Sequence, residues 1–172
     1  MTALMRHPMA AGLIAALTAL VTIAGYLQTD ASPVHIGWTA LLFAILASLA
    51  WIDATTETVP DAVTLALVVT GIAHATAVGA ALWPIAGGAV LLVALGSMHG
   101  RITGDHGWIG SGDFFLIAGV FAWFGPLLVM DILALTFVGL LFQSLIARRT
   151  TIAVAPSLAA AAALVWIGGP IL

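Results

Sequence analysis

The chain contains no cysteine, which excludes a disulfide framework, a thiolate zinc site and a cysteine nucleophile together. Charge is almost as scarce: 6% of its 172 residues are charged, against about 25% in an ordinary soluble domain. So little polar surface cannot face water on every side, whereas a bilayer-embedded bundle turns its flank to lipid. The basic residues are limited to Arg6, Arg101, Arg148 and Arg149, which leaves no patch for nucleic acid. What fills the chain instead is apolar, at 63% of residues.

Apolar runs separated by polar or Gly/Pro breaks predict an all-α, polytopic membrane bundle forming one domain over 1–172. Seven runs are expected to span, roughly 9–27, 35–52, 62–82, 84–98, 113–126, 128–147 and 153–171. They are continuous rather than alternating, which argues against strands. Six would remain if residues 1–31 were a cleaved signal. The apolar stretch there is about nineteen residues, longer than the usual signal core of about 7–15, which favours a retained anchor. Pro84 suits the first turn of its helix. Gly125-Pro126 is expected to end one span and turn the chain into the next.

An odd number of spans with a cytoplasmic N-terminus places the 53–61, 99–112 and 148–152 connections inside. All four arginines then lie inside, as the positive-inside rule requires. Asp53, Glu57, Asp61, Asp105 and Asp113 fall in or beside the same connections, so the polar chemistry gathers at the cytoplasmic face.

Two constellations stand out there. In the first, Asp53 closes one span and Pro60-Asp61 opens the next, with Pro60 or Asp61 in a capping role. In the second, Gly110-Ser111-Gly112-Asp113 opens a helix, its glycines allowing a tight backbone approach. Neighbouring spans could bring Asp53 and Asp113 together. Hydrolysis of a peptide bond without metal or covalent nucleophile needs a base for water and an acid for the carbonyl oxygen. Two carboxyls sharing one proton provide both, because adjacent like charges resist joint ionisation.

"Asp, six residues, Pro-Asp" followed by Gly-x-Gly-Asp, with Asp53 and Asp113 sixty positions apart, resembles the prepilin peptidase (type IV leader peptidase) family. The resemblance runs over about 38–170 and includes the helix after the second motif and Pro156 early in the last span. It implies a GxGD-type intramembrane aspartic endopeptidase with Asp53 and Asp113 catalytic. Gly110, Gly112, Pro60 and Asp61 would support the motifs or bind substrate, with no metal and no cofactor. The implied partners are the lipid bilayer and a prepilin- or pseudopilin-like substrate of a type IV pilus or secretion system. Such a substrate has a basic leader ahead of an apolar helix and is cut after glycine at the cytoplasmic face of the inner membrane. The absence of cysteine and of an amino-terminal metal region implies a peptidase-only form. One departure is Phe115, where the family usually has lysine.

Blander roles are weighed beside these. Asp53 and Asp113 could be a helix-end carboxylate and an N-cap, Glu57 a solvated loop charge, His74 a core histidine and Asp131 an interfacial residue. His99, Asp105 and His106 share a loop but match no compact metal motif. Two other functions compete: a small ion-coupled transporter, which predicts inverted repeats and carboxylates at the midplane, and an inactive relative that only binds pilin-like helices.

Overall fold

The computed structural model describes residues 24–25, 33–56, 58–103, 111–147 and 153–168. All regular structure among them is helical: α1 (Pro33–Thr56), α2 (Asp61–Ala77), α3 (Leu82–Thr103), α4 (Ser111–Ala147) and α5 (Val154–Gly168). Pro33–Thr56, Leu82–His99 and Gly112–Leu145 are long and apolar enough to cross a membrane, and Asp61–Ala77 and Val154–Trp166 are shorter apolar helices. The described residues therefore carry five helices rather than the seven expected. The 9–27 run lies outside them except for Ala24 and Gly25, and the 113–126 and 128–147 runs both lie in α4, two helices that meet at a kink at Gly125, where the break was expected. At the kink Gly125 has φ 74° and ψ 178°. Helical geometry resumes at once because Pro126, the next residue, needs no N–H partner in a first turn.

Two compact units divide the chain, Met1–Glu57 with Met130–Leu172, and Thr58–Val129. In the first, α1 and α5 pack antiparallel. His35, early in α1, stacks on Trp166, late in α5, with ring centroids 5.6 Å apart. At the opposite ends, the Ala155 N–H donates to Asp53 Oδ2 over 2.8 Å. The buried face of α1 carries Leu42, Phe43, Leu46, Leu49, Ala50 and Asp53, spaced by three and four residues as one side of a helix requires. Opposing alanines of α5, among them Ala155, Ala159 and Ala162, let the helices approach closely. The later part of α4 is tied to α5 by a Gln143 Nε2–H donated to Ser157 Oγ over 2.7 Å. Gly139 passes the same serine closely enough that a Cβ would stand 3.0 Å from its Oγ. Asp131, expected at the interface, is buried in the protein at 3% exposure.

In the second unit, α2 ends five residues before its expected limit of 82. Gly79 takes φ 69°, Gly79 N–H donates to Thr76 O and Ala80 N–H to Ala75 O, satisfying the last carbonyls in a Schellman closure. α3 runs beyond its apolar stretch to Thr103, with Pro84 in its first turn. The contacts of α4 fix the helix directions. Val59 meets Gly112, Leu67 meets Gly119 and Gly71 meets Ala122 and Trp123, so α2 and the first part of α4 run parallel. Gly96 meets Phe114 and Gly88 meets Phe121, so α3 runs against them. Val68, Ala75, Ile85, Ala89, Ala118 and Ala122 form the core among the three.

Candidate active site

Asp53 lies in the last turn of α1, and the chain leaves the helix soon after it. The Thr55 hydroxyl donates to Trp51 O over 2.9 Å and the Thr56 hydroxyl to Ile52 O over 2.8 Å, each a back-bond to the carbonyl four residues earlier in the helix. Trp51 is 49% exposed while Asp53, two residues on and about 200° round the helix, is 4% exposed. The buried carboxylate faces the start of α5. Ala153, the residue before that helix, has no side-chain acceptor for the N–H groups of the first turn, and Asp53 Oδ2 accepts from Ala155 instead. A carboxylate at a helix N-terminus is also favoured by the helix dipole. Asp53 thus combines the helix-end position weighed from the sequence with a capping contact to a helix 102 residues away in sequence.

Pro60 stands at the N-cap of α2 (φ −69°, ψ 124°) and makes no side-chain cap. Its carbonyl accepts from the Val63 and Thr64 N–H groups, and the Thr64 hydroxyl donates to Asp61 O over 2.9 Å. Asp61 is the first helical residue, exposed, and placed where a negative charge complements the dipole.

In the second motif, Gly110 lies outside the described residues. Gly112 and Asp113 occupy the first turn of α4, with Asp113 half-buried. A Cβ on Gly112 would lie 3.0 Å from Val59 O and 3.1 Å from Val59 Cβ, so the absent side chain makes room for the chain's own backbone beside Pro60. The segment that opens α2 and the segment that opens α4 are therefore in contact. Phe114 and Phe115 hold the same turn from the other side, against Gly96 of α3, and His99 packs on Phe114 with ring centroids 5.3 Å apart. The position where relatives are expected to carry lysine is filled by an aromatic ring seated on a glycine.

Asp53 belongs to one unit and Asp113 to the other. Of the remaining polar residues, His74 is a core histidine stacked on Trp123 at 4.7 Å. Asp105, His106 and Glu57 lie outside the described residues, which hold no group of three or more His, Asp or Glu side chains able to take a metal. Sequence reasoning missed Ala155 and Val59. Neither left a signal in the sequence: Ala155 contributes a backbone donor, and Val59 has only its place beside Pro60.

The model of the type IV leader peptidase family matches residues 40–147. The chain belongs to that family. No curated protein and no solved structure matches it. Membership supports a leader-peptidase-type protease, and the apolar helices agree with an integral membrane protein. The matched stretch takes in Asp53, Pro60, Asp61, Gly110, Gly112 and Asp113, and stops before α5, short of the 170 that the sequence resemblance suggested.

Proposed function

We propose that this leader peptidase is an intramembrane aspartic endopeptidase, with Asp53 and Asp113 as the hydrolytic pair and both units contributing to a single peptidase domain. One carboxylate takes a proton from water as the water oxygen adds to the scissile carbonyl. The other carboxyl gives its proton to the carbonyl oxygen. Collapse of the tetrahedral intermediate breaks the C–N bond as a carboxyl protonates the departing amine. No metal takes part in these steps.

The observation that supports this reading is the contact between Val59 and Gly112, which sets the Pro60-Asp61 end of the first motif against the start of the second within the second unit. Burial of Asp53 supports it as well, since a carboxylate held out of water in a membrane protein is expensive to keep without a task. Gly112 contributes by admitting Val59, and Asp61 presents charge near the entry to α2. The substrate is a prepilin- or pseudopilin-like chain, whose basic leader suits the acidic connections and whose apolar helix suits the lipid-facing bundle. Cleavage is at the cytoplasmic face of the inner membrane. Asp53 stands at the end of the α1–α5 pair where the chain following Arg148 and Arg149 enters α5, in keeping with the positive-inside rule.

The test is cleavage of a panel of candidate prepilins by purified protein. Asp53→Asn and Asp113→Asn should each reduce turnover by about 10⁴-fold or more, toward background, on the precedent of catalytic groups acting as a unit, while inserted, folded protein is retained. Substantial turnover by either variant removes that residue from the pair.

A further inference from the structure

We infer that the Ala155 backbone N–H, at the start of α5, is the positioning group for the Asp53 carboxylate. This rests on the assignment of Asp53 to the hydrolytic pair. The bond is 2.8 Å long and buried, and it joins the carboxylate to a helix beyond the stretch that matches the family. Three features make it more than a chance contact. Ala153, at the N-cap position of α5, offers no side-chain oxygen of its own to the Ala155 N–H. Pro156 has no N–H, so the next position in that turn cannot substitute as donor. Asp53 is itself 4% exposed, which removes water as a competing partner for the bond.

A carboxyl group held at one oxygen by a fixed backbone donor has its plane and the direction of its second oxygen set. Pair catalysis depends on that direction, because proton transfer falls off steeply with misalignment. The N-terminus of α5 thus acts through Asp53 and touches no substrate. α5 is in turn held along its length, by Trp166 against His35 and Phe43 and by Ser157 against Gln143, so the donor sits on a braced helix.

Ala155→Pro removes the N–H while keeping a residue that a first helical turn tolerates. The full chain, purified into lipid nanodiscs, is assayed with a peptide consisting of a basic leader, a glycine and an apolar helix. The expected result is a fall in kcat of about tenfold or more with KM within about twofold of the parent, as for loss of one hydrogen bond to a charged group. An unchanged kcat overturns the inference. So does lowered thermal stability with kcat per folded molecule intact, which would leave the contact a helix cap alone. A second arm needs no turnover. Asp53→Ala should raise deuterium uptake across residues 153–158, whereas Asp53→Asn, which keeps an acceptor oxygen, should preserve protection. Equal uptake in Asp53→Ala and the parent overturns the tether itself. A parent that never cleaves the peptide, yet shows the expected exchange pattern, counts against the proposed activity and in favour of the tether.

Discussion

Gly71→Ala and Gly87→Ala are the same chemical change in two helices, and the structure gives them opposite signs. A Cβ on Gly71 would stand 2.7 Å from Trp123 Cδ1, 2.8 Å from Ala122 Cβ and 2.9 Å from the Ala122 carbonyl carbon. Apolar carbons rest at about 3.5–4.0 Å, so the shortfall is roughly 0.6–1.3 Å, and part of it is against backbone that cannot rotate away. Overpacking of this kind costs about 1–3 kcal/mol. Moving the indole also endangers the bond from Trp123 Nε1–H to Leu67 O, 3.1 Å long and buried. Its loss would add about 0.5–1.5 kcal/mol, while the better helix propensity of alanine offsets about 0.5–1 kcal/mol. The net expectation is a destabilisation of about 1–3 kcal/mol, or roughly 2–12 °C in Tm for a chain of this size. At Gly87 nothing lies within 4 Å of the added carbon. Only the propensity gain remains there, and Tm should hold or rise by up to about 4 °C. Thermal unfolding in one detergent, followed by tryptophan fluorescence, measures both. Equal Tm values for the two variants would refute the close packing of α2 on α4.

Cysteines placed at Thr56 and Ser111 in this cysteine-free chain should label only from the cytoplasmic side of intact cells; labelling from outside reverses the topology and the proposed site of cleavage. Chelators should leave turnover intact, and His99→Ala with His106→Ala should alter it only modestly, whereas activity lost to a chelator and restored by metal would make the aspartates ligands. Ser157→Ala, which removes the acceptor of Gln143, should cost about 0.6–1.7 kcal/mol in a membrane setting, read as a lowered unfolding midpoint.

Hydropathy located the helices because burial in lipid or protein is what an apolar run records. It located their ends less well. α2 stops at Ala77 although Val78, Ala80, Ala81 and Leu82 continue the apolar run, because the left-handed backbone of Gly79 closes the helix. A glycine followed by no further helical requirement was the available signal. α3 persists through His99 and Arg101, whose polarity ended the expected span at 98 but does not disturb helical backbone. The Ser97 hydroxyl simply donates back to Val93 O over 2.9 Å. The motif glycines announced a close approach, and Gly112 makes one, though with Val59 as the neighbour. The hold of Ala155 on Asp53 was illegible: 102 residues separate them, and a backbone donor carries no side-chain identity for a sequence to display.

Gly125 separates two measures of mutational tolerance that usually travel together. Space around it is open, since an added Cβ would find nothing within 4 Å, and a contact-based view would class the site as permissive. Its φ of 74° with ψ of 178° belongs to a region essentially restricted to glycine, where any L-residue carries a backbone cost of about 1–3 kcal/mol. In a saturation scan the position should therefore reject alanine and leucine to a similar degree, a flat profile unlike the size-graded profile of a packed glycine such as Gly71. The mirror-image residue D-alanine, introduced by chemical synthesis, would fit where L-alanine does not.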